Sequence, residues 1–169
     1  MSGVEHEVFM AEAIKEALKA DQLNEVPVGA VVVLDGEIIG RGYNQPISGC
    51  DPTAHAEVMA LRNAAKSIYN YRLAEATLYV TIEPCTMCAG AIVHSRIDRL
   101  VYGATEPKAG VVQSQEQIFS KPYFNHQLEV IGGVLEDQCT AVIQAFFQRR
   151  REEKKAEKAA AKKVIRLDN

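Results

Sequence analysis

Two short stretches, His55-Ala56-Glu57 and Pro84-Cys85-Thr86-Met87-Cys88, constrain this chain more than any other feature. Together they hold one imidazole, two thiols and a carboxylate, far apart along the chain. A structural zinc site is normally closed by four protein ligands, whereas a catalytic site keeps one position open for water. One His and two Cys leave that position open, with Glu57 spare to handle protons. Cys85 and Cys88, at i and i+3, lie on one face of a helix, one turn apart. Pro84 fixes how the chain enters that helix, and the helix dipole favours thiolates at its N-terminus. His55 falls in the first turn of a second helix, so two helix starts must face each other. On a regular helix His55 and Glu57 project roughly 200° apart. They share a site only if it lies near the axis of the helix end.

The pattern around these stretches predicts the frame. Met10, Ile14, Ala17 and Leu18 recur at helical spacing over about Glu7 to Leu23, and Pro27 ends that region. Val28 to Leu34 is an apolar run, Asp35-Gly36 a hairpin turn, and Glu37 to Arg41 the returning strand. Gly40 to Pro52 reads as a loop. Asp51 caps a second helix that runs towards Asn70, with Pro52 at its first position. Thr77 to Ile82 is a buried-type strand, Pro84 to about Ser95 a helix, Arg99 to Tyr102 a strand. Ala104 to Asn125 is irregular, Leu128 to Ile131 is a last strand, and Leu135 to Lys163 a long helix. Its first half is apolar on one face, through Val142, Ile143, Phe146 and Phe147; its second half is polar all round. The expected fold is α/β, with helices on both faces of a mixed five-stranded sheet in three α/β/α layers. Both motif helices should begin at the same end of the sheet, where such sheets place their ligands.

At 169 residues, 47% hydrophobic and 24% charged, the chain fits one domain, residues 1–169, with its own core. No apolar run approaches the roughly 20 residues that span a bilayer. The N-terminus, Met1 to Glu7, carries acid where a signal peptide carries base. The expectation is a cytoplasmic protein with no membrane partner. There the Cys85/Cys88 pair reads as a metal site rather than a disulfide. Cys50 reads as a free thiol near the mouth of the site, Cys139 as a small buried hydrophobe. Charge is uneven. Residues 149–163 hold eight Lys/Arg and three Glu, against eleven basic and nineteen acidic side chains elsewhere, so +5 opposes −8. A basic C-terminal helix over about 148–163, with a short tail, on an acidic body suggests a phosphate-bearing partner. A solvated helix of mixed charge is the plainer alternative.

His-x-Glu followed by Pro-Cys-x-x-Cys is an already recognised signature of the zinc-dependent nucleobase deaminases, so this match is recognition, not deduction. Asn44, Asp51 to Glu57, Thr81 to Ala91 and His94-Ser95-Arg96 together resemble the bacterial tRNA-specific adenosine deaminases. The resemblance runs from Glu7 to about Lys155 and takes in Val26 to Ala30 and Phe146-Phe147 with its Arg run. It implies a cytidine-deaminase-like fold and hydrolysis of adenosine to inosine at the wobble position of a tRNA anticodon stem-loop. It also implies a homodimer with one Zn2+ per subunit. His55, Cys85 and Cys88 become the zinc ligands, and Glu57 the proton shuttle. Asn44 becomes a hydrogen-bonding group for the flipped base or its sugar, beside its role in the turn. Val28 and Ala56 line the pocket, Ala56 through its backbone. Glu106 stands where many members carry Asp. Lys108, Lys121, Asn125 and His126 would touch the RNA loop, His126 being equally suited to a turn hydrogen bond. Phe147, Arg150 and Arg151 would reach it from the last helix, Phe147 alternatively serving the core.

Two other functions compete. The same ligands serve deaminases of free cytidine, cytosine or guanine. A non-catalytic RNA-binding protein with a structural zinc is the third reading, opposed by Glu57 and the open fourth position.

Overall fold

The structure, a computed structural model, describes residues 2–167. Helix α1 spans Gly3–Gln22, started by Ser2, whose hydroxyl accepts the Glu5 N–H. It begins four residues before the expected start at Glu7. Of the periodic apolar positions Met10 and Ala17 are buried, while Leu18 faces out. Strands β1 (Gly29–Leu34) and β2 (Glu37–Tyr43) form a hairpin. Its turn has positive φ at both Asp35 (51°) and Gly36 (77°), the pairing that suits the twist of a two-residue hairpin. Helix α2 (Ala56–Ile68), strand β3 (Thr77–Ile82), helix α3 (Thr86–Ser95) and strand β4 (Arg99–Ala104) follow. A 3-10 turn at Ile118–Ser120, the short β5 (Glu129–Ile131) and the long α4 (Glu136–Leu167) complete the chain.

The sheet order is β2-β1-β3-β4-β5. β1 is antiparallel to both neighbours, and β3, β4 and β5 are parallel. Side chains alternate across it with period two. Ala30, Val32, Leu78, Val80 and Leu100 enter the core under α2 and α3. Val31, Val33, Tyr79 and Val101 enter the core under α1, with Cys139 of α4. This is the three-layer α/β/α mixed sheet that the pattern predicts. β2 and β3 run the same way, so the helices that follow them start at one end of the sheet.

β2 is longer than the sequence suggests, because Gly42 and Tyr43 belong to it rather than to a loop. A Cβ on Gly42 would lie 2.4 Å from the Ala60 nitrogen and 2.5 Å from the Ala56 oxygen, so only glycine lets α2 lie this close on the strand. That contact fixes where α2 begins. On α4, Cys139 and Phe146 are buried, Val142 and Ile143 half-buried and Phe147 exposed; from Lys154 onward the helix is exposed. The helix continues past Lys163 through Leu167; the last two residues of the expected tail, Asp168 and Asn169, lie outside the described residues, as does Met1. No helix among the described residues is long and apolar enough to cross a membrane.

Candidate metal centre and catalytic pocket

The structure corrects the expected start of α2. Asp51 does not cap it. Its carboxylate closes a local turn, accepting the Thr53 N–H at 2.8 Å and the Thr53 hydroxyl at 2.7 Å. Turns run up to Thr53, and the helix starts only after His55, the N-cap residue, which is extended (φ −75°, ψ 153°) and gives no capping hydrogen bond of its own. The capping acceptor comes from elsewhere: Asn44 Oδ1 accepts the Ala56 N–H at 3.1 Å. This removes the 200° conflict. His55 lies outside the helical rotation, so it and Glu57, one turn-step inside, can face one site. Helix α3 is built the same way, with Cys85 as an extended N-cap (φ −82°, ψ 176°) and Cys88 three residues in.

His55 Nδ1 lies 3.6 Å from the Cys85 sulfur and 3.5 Å from the Cys88 sulfur, and the three ligand atoms fall within 4.8 Å of one another. Tetrahedral zinc, with bonds near 2.0–2.1 Å to nitrogen and 2.3 Å to sulfur, requires N···S separations of about 3.5 Å. The donor set therefore fits zinc in type and spacing. Cys50 is exposed, with its thiol directed at the Ile47 carbonyl, and is not part of this cluster.

The electrostatics fit a cation as well. Hydrogen bonding from the Cys88 thiol, and then from His55, brings the Cys85 thiol down to about 3. Cys88 is held up by its hydrogen bond to Cys85 and by burial, with the Glu57 charge adding to both. Glu57, 3% exposed, is pushed up to about 7, first by burial and further by the charge on Cys85. Two thiols and a carboxyl packed together carry more negative charge than this buried space tolerates, and a divalent cation balances it.

His55, Glu57 and Cys85 line a cavity of about 160 Å3 together with Val26, Val28, Asn44, Ile82, Glu83, Glu106 and Ala109. Ala56 is not among them: its methyl is in the core and its N–H is held by Asn44. A separate groove of about 590 Å3 brings Lys108 against Phe147 and Arg151 of α4, with Ile143, Gln144 and Gln148. The remaining predicted contacts are engaged within the protein. Lys121 pairs with Glu116 at 3.1 Å and Arg150 with Glu153 at 2.5 Å. Asn125 accepts from Arg96 at 3.0 Å, and His126 Nε2 meets the Ile97 carbonyl at 2.7 Å.

Two buried acids that sequence reasoning left without a role hold the loops around the cavity. Glu25, 1% exposed, accepts the N–H groups of Ile47 and Ser48 and the Ser48 hydroxyl. Glu83, 2% exposed, accepts the N–H groups of Glu106, Val112, Gln113 and Ser114 and the Ser114 hydroxyl. Burial alone would raise the Glu83 carboxyl. These hydrogen bonds outweigh it and hold the group below the usual carboxylate range. An acid immediately before Pro84-Cys85, ending a buried strand, was the available signal. Arg149 was also missed: it pairs with Asp21 of α1 at 2.9 Å and lies over the Phe146 ring at 5.3 Å.

A mixed sheet with a His/Cys/Cys cluster at paired helix starts, and a buried glutamate beside it, defines a class of zinc hydrolases. The chain belongs to the cytidine and deoxycytidylate deaminase zinc-binding family, whose sequence profile matches residues 4–104. Within that class it is similar to the tRNA-specific adenosine deaminase of Haemophilus influenzae, 56% identical over 144 residues, 85% of this chain and 83% of the relative. The enzyme of the same name from Bacillus subtilis is 48% identical, over 84% of this chain and 88% of the relative. A solved structure from studies of A-to-I editing by tRNA deaminases at the wobble position of transfer RNA is 46% identical. It matches with a TM-score of 0.77 over 79% of this chain and 97% of its own.

Proposed function

We propose that this chain hydrolyses adenosine to inosine and ammonia at the wobble position of a tRNA anticodon loop. The observation that carries the chemistry is the three-ligand cluster with Glu57 buried beside it in the same small cavity. His55, Cys85 and Cys88 would hold zinc, which would supply Lewis-acid activation of a water that otherwise ionises far above neutral pH. Glu57 is not a ligand. Its carboxylate takes one proton from the water and delivers it to the purine ring nitrogen, then takes the second from the hydroxyl now on the ring carbon and passes it to the amine, which leaves as ammonia. Asn44 is oriented by its bond from Ala56, which occupies Oδ1 and leaves Nδ2 to donate to the base or its sugar.

An anticodon loop presents unpaired bases that can be splayed into a cavity without opening a duplex. Val28 and Glu106 lie where they would touch the inserted nucleotide; Lys108, Phe147 and Arg151 lie where they would touch its neighbours. Lys121, Asn125, His126 and Arg150 already have protein partners and serve the RNA less directly, by shaping its rim. The reading includes a homodimer: α2 and α3 leave an apolar groove lined by Val58, Leu61, Ala65, Tyr71 and Ala91, suited to a second copy. A cytoplasmic setting follows from the substrate. Sedimentation tests the dimer.

The deciding experiment compares inosine formation in an anticodon stem-loop carrying adenosine at the wobble position with turnover of free adenosine and free cytidine. Inosine in the stem-loop alone is the expected result. Turnover of a free nucleoside alone keeps the zinc chemistry and removes the RNA substrate.

A further inference from the structure

The stretch between β4 and the 3-10 turn has no strand partner, so its backbone N–H groups need acceptors from elsewhere. Four of these N–H groups find their acceptor in one side chain. Glu83 Oε1 takes the N–H groups of Val112 (3.0 Å), Gln113 (2.7 Å) and Ser114 (2.8 Å). Glu83 Oε2 takes the Glu106 N–H (2.9 Å) and the Ser114 hydroxyl (2.5 Å). The next residue continues the tie, since the Pro84 carbonyl accepts the Val111 N–H at 3.1 Å. The loop fits tightly around the carboxylate. A Cβ on Gly110 would lie 2.4 Å from Glu83 Cδ, 2.5 Å from Oε2 and 2.6 Å from the Glu106 carbonyl oxygen. Between these ties sit Glu106 and Ala109, which line the metal cavity, and Lys108, which lines the groove towards Phe147 and Arg151. Glu83 stands two residues before Cys85. One carboxylate therefore joins the turn that presents a metal ligand to the loop that forms a wall of the substrate space.

We infer that Glu83 is a positioning residue for the RNA substrate: it holds the 106–114 loop at a fixed place beside the metal cavity, and so governs substrate binding rather than metal affinity or proton transfer. The inference rests on the proposed tRNA activity. It assigns a large share of the loop's order to one carboxylate in the cavity wall whose oxygens are taken up by the loop and which is not a metal ligand.

The test is Glu83→Gln, which keeps the shape but replaces one acceptor oxygen by a donor facing N–H groups. The expected result is a KM for the stem-loop raised at least about tenfold with kcat changed less than about threefold, the mark of lost binding common to ground and transition states. Zinc content should remain at one per chain. Amide exchange, followed by mass spectrometry, should quicken over 106–114 and not over the α2 and α3 starts. Gly110→Ala presses the same carboxylate from the loop side and should reproduce the pattern. The double variant should fall short of the two effects combined, as for groups in contact. An unchanged KM, a fall in kcat that tracks zinc loss, or unchanged exchange over 106–114 overturns the inference. If Glu83→Gln does not fold, Ser114→Ala, which removes the hydroxyl bonded to Glu83 Oε2, decides by the same criteria with smaller shifts. A wild-type protein inactive on the stem-loop would instead defeat the proposed function, and the exchange result would still stand for or against the loop's dependence on Glu83.

Discussion

Glu57 and Glu83 are the same residue type, nearly equally closed to solvent, each two positions from a metal-ligand candidate, and both line one cavity. They are driven in opposite directions. Glu83 sits among four N–H groups and a hydroxyl and stays charged below the usual range. Glu57 has its own amide, the His55 charge and the Cys88 thiol to set against burial, and a neighbouring Cys85 charge pushes it further up, to about 7. Both carboxylates are closed off from solvent, but Glu57 lies deeper, so burial costs it more, and it has fewer donors to offset that cost. A carboxylate with every acceptor site filled cannot exchange a proton readily and serves as an anchor. One held near neutrality with few donors can take and return a proton at cellular pH. One part of the molecule thus holds shape and the other does chemistry, by the same functional group.

The largest effect should come from Glu57→Gln. Removal of a general acid/base lowers rates by about 10²–10⁴-fold. Inosine formation in the stem-loop should fall by at least that much under single-turnover conditions, with zinc content unchanged, because the ligands are other residues. Activity within tenfold of wild type would show that Glu57 is not the shuttle and that the contrast with Glu83 has no catalytic meaning.

Metal removal sharpens the contrast next. Chelation should abolish turnover and lower the melting temperature, with recovery on adding zinc. A ligand present at 1,000 times its Kd stabilises the native state by about 4 kcal/mol. The loss should be local to the starts of α2 and α3, where His55, Cys85 and Cys88 sit. Exchange protection over 106–114 should survive, because Glu83 holds that loop without the metal. Equal loosening of both regions would mean that the two carboxylates do not work separately.

Much of this arrangement is legible in the sequence, because it depends on short-range pattern. The apolar runs place β1 and β3, the Asp35-Gly36 pair sets the hairpin, and the two motifs name the cluster residues. What is not legible depends on contacts between distant segments. Asp51-Pro52 carries a good capping signal, but Thr53 captures the Asp51 carboxylate, so α2 starts at Ala56 and the cap comes from Asn44. Gly42 reads as loop because its strand role depends on how closely α2 approaches. Glu83 reads as one letter of a motif because its partners lie 23 to 31 residues away in a stretch without periodicity. The long α4 shows an apolar face that the fold uses only in part, sending Phe146 inward and Phe147 to the groove.

Acid stability tests the anchoring side of the comparison. The folded carboxyl of Glu83 titrates below its unfolded value, so its contribution is complete above the unfolded carboxylate range near 4.3. It is lost as pH falls from there through the lower, folded value. Melting temperatures of wild type should therefore drop steeply below about pH 4.5. Glu83→Gln, already less stable at pH 7, should show a shallower drop over the same window. Parallel curves would mean that Glu83 is not held ionised by its loop.

The smallest effect belongs to Asn44, which joins the two kinds of role in one side chain. Oδ1 caps α2 through Ala56, a task His55 cannot perform while its ring is turned to the cysteines. Loss of a helix cap costs about 1 kcal/mol. Asn44→Ala should lower stability by that amount and also weaken turnover, since both the acceptor and the donor go. Asn44→Asp separates them. It keeps an oxygen for the Ala56 N–H, so the melting temperature should return close to wild type. It replaces the Nδ2 donor by an acceptor, so turnover of the stem-loop should stay low. If Asn44→Asp restores both, the side chain acts on the reaction only by fixing where α2, and with it His55 and Glu57, begins. If it restores neither, the Ala56 bond is not what holds the start of α2, and the explanation for an N-cap histidine without its own cap would have to be sought in the metal alone.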